Sequence, residues 1–224
     1  MVNYGTLSEL SPLRRRHELF PVYVEYILAA TNNEHCKVVL FEELNNAYGI
    51  KDKWLLKQYL GVEVKQTKEH ITTRQSKYAR DTLHMFGFKN AHAFGNSMEV
   101  NAQFTMAGES EHLNSKFPVR VAIEMLMCIA MSTRLDLSFS LGKFSWCVMH
   151  PSNKHIGTVK RGLRFLVETQ NYGITYMRTS KSSGSINLQG CCDIDWVNDM
   201  DTRKSTTWFL FTLSGGAIAW MSWR

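Results

Sequence analysis

The sequence changes from a helical to a strand pattern at about residue 173, and this change limits the fold class. Between residues 118 and 168, apolar residues recur at helical spacing and predict helices over about 118–131, 136–148 and 153–168. From Gly173 onward, β-forming segments bounded by turn residues predict strands over 173–178, 186–193, 206–213 and 217–222. The order predicts an α+β protein rather than one repeating βαβ sheet.

The segments before residue 118 mix helix and strand signals. Residues 21–30 are rich in β-formers and predict one strand, after an irregular start over 1–20. A helix is expected over 34–48, with Asn33 as its N-cap, Gly49 at its C-terminal end and an apolar face. That face comprises Val38, Phe41, Leu44, Ala47 and Tyr48. A hairpin over 55–66 and 70–74 and a helix over 76–86 complete this part.

Residues 205–223 contain no charged side chain over a length that could cross a bilayer. However, Ser214, Gly215 and Gly216 stand near the middle of this segment, flanked by aromatic and β-branched residues. Such a pattern is typical of two strands joined by a tight turn. The sequence therefore favours a hairpin, and a protein held to a membrane by 205–223 is the less favoured alternative.

Charge and cysteine content narrow the function classes. The formal net charge of +6 is compatible with a nucleic-acid partner, because Lys and Arg contacts to phosphate dominate non-specific affinity. An ordinary basic soluble protein has the same charge. The five cysteines are odd in number and include no C-x-x-C pair, so neither a disulfide framework nor a zinc site is predicted. An intracellular location, cytoplasmic or nuclear, is expected.

The helix predicted over 153–168 has two distinct faces. One arc is apolar, with Ile156, Val159, Leu163 and Leu166. The opposite side is basic, with Lys154, Lys160, Arg161 and Arg164. A helix that lies along a phosphate backbone needs such a basic face, so these four residues are the candidate nucleic-acid contacts. A solvated face on an ordinary core helix has the same pattern.

The acidic pair Asp193 and Asp195 is the candidate metal site. Alternation along a strand places both side chains on one face. Carboxylate oxygens bind Mg²⁺, and two such ions can activate water at a phosphodiester. Plain turn chemistry is the competing explanation. No nucleophile motif or phosphate-binding glycine loop is found, and no small-molecule cofactor is expected.

Several short motifs follow one another in the order of a known family. They are Y-L-G-V-E-V at 59–64, Q-S-K-Y at 75–78, S-M-E at 97–99, T-R-L-D-L at 133–137, the helix 155–166, D-I-D-W at 193–196, R-K-S-T at 203–206 and G-G-A-I-A-W at 215–220. The ordered set, within residues 21–224, resembles the copia-type reverse transcriptase family. There the corresponding motifs are F-L-G-I-E-V, Q-x-K-Y, the end of S-T-P-M-E, T-R-P-D-L, H-x-x-A-x-K-R-x-L-R-Y-L, S-D-A-D-W, R-K-S-T and G-G-A-I-S-W.

The resemblance implies a domain order. It assigns the end of a reverse-transcriptase palm, with a following hairpin and helix, to 21–90 and a linker to 91–116. Thumb-like or connecting helices follow over 117–172, and a truncated ribonuclease H-like β meander starts at 173. Residues 1–20 are unassigned. The implied reactions are DNA synthesis on RNA and cleavage of RNA in an RNA–DNA hybrid, both with Mg²⁺.

Departures from the family affect its catalytic residues. The family's Y-V-D-D turn matches residues 23–26, where Glu25 and Tyr26 replace the two metal-binding aspartates. Glutamate displaces the carboxylate by one methylene, and tyrosine is uncharged at neutral pH. Asp193 matches the first metal-binding aspartate of ribonuclease H. The family's remaining catalytic acids would fall before residue 1 or after residue 224.

These departures predict a degenerate polyprotein fragment in which Glu25 and Asp193 are remnants of two active sites. We expect no DNA synthesis, no RNA cleavage and no productive Mg²⁺ binding. Weak, sequence-independent binding to duplex or hybrid nucleic acid is the function expected to remain. The alternative is a structural relic without function, in which the hairpin 206–222 has lost its neighbours and exposes an unpaired edge.

Overall fold

The computed structural model describes residues 18–19, 21–23, 26–31, 33–52, 55–99, 116–145, 148, 151–178, 187–195 and 205–223. The described residues form a mixed α+β protein, as the sequence predicted, and their strand pairs are antiparallel. The chain divides into two compact units, residues 1–56 and residues 57–224.

The first unit begins with a segment that pairs with itself. Its strands are β1 (Glu18–Leu19), β2 (Val22–Tyr23), β3 (Tyr26–Ile27) and β4 (Ala30–Thr31). β1 pairs with β4, and β2 pairs with β3 so that Tyr23 lies opposite Tyr26. The prediction of a single strand over 21–30 is therefore wrong, as is the irregular assignment of residues 18–19. The amide and carbonyl groups of extended backbone need hydrogen-bond partners. Here the four short strands supply them by pairing with one another.

Helix α1 (Glu34–Tyr48) has the predicted bounds and caps. The Asn33 side chain accepts a hydrogen bond of 3.0 Å from the His35 amide, and Gly49 ends the helix with a positive φ of 66°. The expected apolar face is not buried: none of the helix residues is buried, and Tyr48 is 77% exposed. Helical spacing identifies the apolar side of a helix, but not whether another element covers that side.

The second unit contains a four-stranded sheet in the order β5-β6-β7-β8. Its strands are β5 (Gln58–Tyr59), β6 (Val62–Gln66), β7 (His70–Arg74) and β8 (Gly173–Met177). The strand predicted over 55–66 is interrupted at Leu60 and Gly61, whose φ angles of 47° and 81° turn β5 back onto β6. β8 was expected to open the ribonuclease H-like part, yet it pairs with β7 and completes this sheet.

Four helices of the second unit form its core. They are α2 (Ser76–Met85), α3 (Val119–Ser132), α4 (Ser138–Ser145) and α5 (Asn153–Thr169). The helix predicted over 136–148 is shorter, because a 3₁₀ turn (Leu135–Leu137) precedes α4. The buried arc of α3 includes Ala122, Leu126 and Ile129, whereas Val121 is 38% exposed. The most deeply buried side chains include Leu126, Ile129, Leu141, Phe144, Val159, Leu163 and Leu166.

A three-stranded sheet in the order β11-β10-β9 follows. It consists of β9 (Leu188–Asp195), β10 (Thr206–Leu213) and β11 (Gly216–Trp223). The predicted hairpin is thereby confirmed, and it is docked: Trp220 Nε1 donates to the Ala130 carbonyl at 2.8 Å, and the Tyr176 hydroxyl donates to the Ala217 carbonyl at 2.7 Å. Among the described residues, no helix combines the length and apolar character needed to span a bilayer.

Candidate nucleic-acid interface

The start of α5 is fixed by a reciprocal pair of hydrogen bonds. The Ser152 hydroxyl accepts from the His155 amide at 3.4 Å, and His155 Nδ1 accepts from the Ser152 amide at 3.0 Å. His155 is 3% exposed, so this motif histidine has a structural role. The predicted apolar arc of α5 is buried, with Ile156, Val159, Leu163 and Leu166 at 0–4% exposure. Of the four predicted cations, Lys154 is exposed and the other three are half-buried.

Arg161 is held by residues 94–99, a segment that we call the strap. Its Nε and Nη2 donate to the Asn96 Oδ1 at 3.1 and 2.5 Å, and Nη1 lies 3.4 Å from the Glu99 Oε1. The guanidinium carbon also lies 4.4 Å from the centre of the Phe94 ring. The Arg161 side chain retains 21% exposure. Sequence reasoning missed these contacts because the strap is more than 60 residues away in the chain.

The strap also contacts Arg164. The Phe94 amide donates to the Arg164 carbonyl at 3.4 Å, and the Arg164 guanidinium lies 5.4 Å from the Phe94 ring centre. Arg164 Nε is buried and has no hydrogen-bond partner among the described residues. Met98 packs against the helical core and anchors the far end of the strap. A single phenylalanine therefore supports two of the four predicted cations.

The other two predicted cations are Lys154 and Lys160. Lys154 is exposed in the first turn of α5. Lys160 is half-buried, with its ammonium 5.1 Å from the centre of the Phe117 ring. Phe117 lies two residues before α3, and its neighbour Lys116 is exposed. Arg120, also exposed, is paired with Glu124 at 2.9 Å.

The predicted metal-binding residues lie on a different part of the second unit. Asp193 is exposed on β9, opposite Trp208, and its Oδ1 accepts a hydrogen bond of 2.8 Å from the Ile194 amide. Asp195 pairs opposite Thr206 in the strand register, and its side chain lies outside the described residues. Glu25 also lies outside them.

The donors in the described part of the chain do not make up a Mg²⁺ site. No group of three or more His, Cys, Asp or Glu residues there is arranged to hold a metal ion. A two-ion site needs several carboxylates that converge on the ions. Asp193 alone supplies one carboxylate, and one of its oxygens already accepts a backbone hydrogen bond.

Other motif residues are buried and support the fold. Arg134 is 3% exposed and binds Asp136 and Thr169, while the Thr133 hydroxyl donates to the Gln75 Oε1 at 3.1 Å. Burial, together with the neighbouring Cys128 thiol, raises the pKa of Tyr78, so its phenol stays neutral. These residues connect α2, α3 and α5 and do not line an open site.

Two polyproteins are similar to this chain over most of its length. The chain is 29% identical over 208 residues to a retrovirus-related Pol polyprotein from transposon TNT 1-94 of Nicotiana tabacum. It is 27% identical over 205 residues to the corresponding polyprotein from transposon RE2 of Arabidopsis thaliana. Both alignments cover 90% of this chain but only 15% and 13% of the polyproteins.

A third similarity covers a shorter stretch. The chain is 36% identical over 105 residues to a secreted RxLR effector protein 161 of Plasmopara viticola, which is 47% of this chain and 71% of that protein. No protein-family model and no solved structure matches the chain.

Proposed function

We propose that this chain, which resembles the Pol polyproteins of copia-type retrotransposons over 90% of its length, is a catalytically inactive fragment of their reverse transcriptase and ribonuclease H that binds nucleic acid weakly. One observation carries the binding part. The apolar arc of α5 is fully buried, and two aromatic rings lie 4.4–5.4 Å from three of the helix's four predicted cations.

The expected binding mode follows from the side chains involved. Lysine and arginine contacts to phosphate position a protein on nucleic acid but do not read its sequence. A duplex or an RNA–DNA hybrid should therefore bind without sequence preference and with an affinity that falls as salt rises. With two to four phosphate contacts, the slope of log K against log salt should be about −2 to −4.

Competition within the protein makes this binding weak. Arg161 already donates to Asn96 and faces Glu99, and Arg164 has a buried Nε. Lys154 is exposed, and the ammonium of the half-buried Lys160 lies against the Phe117 ring. We therefore assign the first phosphate contacts to these two lysines.

Fluorescence anisotropy of a short labelled hybrid, measured between about 50 and 200 mM salt, tests the binding. The variant Lys154→Glu/Lys160→Glu should bind more weakly, with a slope reduced in magnitude by about 2. Its matched control is Lys65→Glu/Lys68→Glu, which reverses two exposed lysines on β6 and the turn after it. Equal affinities of the two variants would contradict the assignment to α5.

The loss of catalysis is proposed from the site residues. Glu25 and Tyr26 replace the aspartates of the Y-V-D-D turn, and Asp193 is one carboxylate of a site that needs several. In the family, bound Mg²⁺ supplies charge stabilisation at the phosphodiester. We expect neither primer extension on an RNA template nor cleavage of a hybrid when Mg²⁺ is added. Incorporation or cleavage above a protein-free blank would refute this part.

A further inference from the structure

The strap places an acidic and an amide side chain where a phosphate would be bound. Asn96 Oδ1 accepts from two nitrogens of Arg161, and the Glu99 carboxylate lies 3.4 Å from the third. The planar guanidinium fork recognises carboxylate and phosphate by the same geometry. Within this chain, the fork of Arg161 is already occupied by groups of the strap.

We infer that Glu99 and Asn96 compete with nucleic-acid phosphate for Arg161, so that the strap limits the affinity of the α5 surface. This inference rests on the proposed function. It adds a specific point of control, because Arg161 contributes a phosphate contact only after Glu99 has been displaced. Glu99 thus acts on binding through Arg161 and does not itself touch the nucleic acid.

Phe94 and Glu99 differ in how firmly their contacts with Arg161 are held. Phe94 is tied to α5 by its amide hydrogen bond to Arg164 and by its ring against two guanidinium groups. The Glu99 side chain is 68% exposed, and ion pairs at such positions are weak. Nucleic acid can therefore displace Glu99 while Phe94 keeps Arg161 in place, so that release exposes a cation that is already positioned.

The size of the effect follows from the strength of the ion pair. An exposed pair of this kind corresponds to about a two- to fivefold change in affinity. Glu99→Gln should therefore tighten binding of the labelled hybrid by about two- to fivefold. Because Arg161 becomes a further phosphate contact, the salt slope should also steepen by about 0.9.

The control for net charge is Glu69→Gln, which removes one exposed carboxylate from the turn between β6 and β7. It should change affinity less than Glu99→Gln and leave the salt slope unchanged. The double variant Glu99→Gln/Arg161→Gln should lose the gain, because the competition needs both partners. Circular dichroism of each variant checks that the helices remain formed.

The outcomes separate this inference from the proposed function. If wild type binds but Glu99→Gln behaves like Glu69→Gln, the inference is wrong and the proposed function stands. If wild type does not bind but Glu99→Gln does, the strap blocks the surface completely and the inference is supported. The same result refutes the proposed function, because wild type itself would not bind. If neither protein binds, both ideas are overturned.

Discussion

Replacement of Arg134 should destabilise the second unit more than replacement of any exposed arginine. Its side chain is 3% exposed and makes four short contacts. Nε and Nη2 bind the two Asp136 oxygens at 2.8 and 2.7 Å, and Nη1 and Nη2 donate to the Thr169 carbonyl and hydroxyl at 2.7 Å each. The guanidinium thereby joins the segment after α3 to the end of α5.

The expected cost can be worked from these contacts. Loss of one partner of a buried ion pair costs about 3–5 kcal/mol, mainly because a charge remains buried without its partner. The Asp136 side chain is 39% exposed and can be hydrated, which lowers the estimate. The Thr169 carbonyl is buried and loses a charged donor, which costs about 1–3 kcal/mol. We therefore expect Arg134→Ala to lower the free energy of unfolding by about 3 kcal/mol.

Urea unfolding followed by circular dichroism measures this loss. The matched control is Arg120→Ala: Arg120 also forms an ion pair, at 2.9 Å to Glu124, but its side chain is 73% exposed. That exposed pair should contribute less than about 1 kcal/mol. Arg134→Lys keeps the charge but cannot bind both Asp136 oxygens in the same two-pronged geometry. Its free energy of unfolding should therefore lie between those of Arg134→Ala and Arg120→Ala. The reasoning would be refuted if Arg134→Ala and Arg120→Ala unfolded at the same urea concentration.

Two further predictions concern the docking of the hairpin, and both are measured by the same unfolding assay. Burial raises the pKa of Tyr176, although a hydrogen bond with Thr73 acts in the opposite direction. The neutral Tyr176 phenol contributes to folding stability, and this contribution is fully present below the pKa of about 10 that tyrosine has in the unfolded chain. It is lost as pH rises through the higher pKa of Tyr176 in the folded protein. Tyr176→Phe should lower the free energy of unfolding by about 1 kcal/mol at neutral pH, because the hydrogen bond to the Ala217 carbonyl is lost. The variant should also lose less stability than wild type at alkaline pH. Equal stability of the two proteins at neutral pH would contradict this prediction. Gly216→Ala would place Cβ 2.5 Å from Tyr176 Cδ1 and should cost about 1–3 kcal/mol. Gly157→Ala on α5, where no atom lies within 4 Å, should instead stabilise by up to about 1 kcal/mol, and a common sign for the two glycine variants would refute the packing argument.

Features with local causes could be predicted from the sequence. The caps at Asn33 and Gly49 set both ends of α1, and the turn residues at 214–215 set the hairpin of β10 and β11. The apolar arc of α5 also follows from spacing alone, because a 3.6-residue period identifies the side that needs cover. Each of these signals lies within about one turn or one hairpin of the element that it determines.

Features that depend on distant segments could not be predicted. β8 pairs with β7 although about 100 residues separate them, so no local sequence pattern shows that β8 completes the four-stranded sheet. The sequence predicts the basic residues of α5, but the contacts of Arg161 with Asn96 and Glu99 come from a segment that it identifies only as a linker. Composition identifies a polar connection, but not the surface over which it runs.

The motifs that carry the family resemblance are mainly parts of the scaffold, and this affects what the resemblance says about activity. Gln75, Arg134 and His155 are all nearly inaccessible and each forms hydrogen bonds between or within elements of the core. Substitution of such residues costs folding stability whether or not the protein is an enzyme. Catalytic carboxylates, in contrast, contribute little to stability and can change without unfolding the chain. A chain can therefore keep such buried motif residues whether or not its acidic residues support catalysis. Retention of these buried motif residues consequently supports the family resemblance, whereas activity would depend on acidic residues such as Asp193, which belongs to the D-I-D-W motif but is exposed.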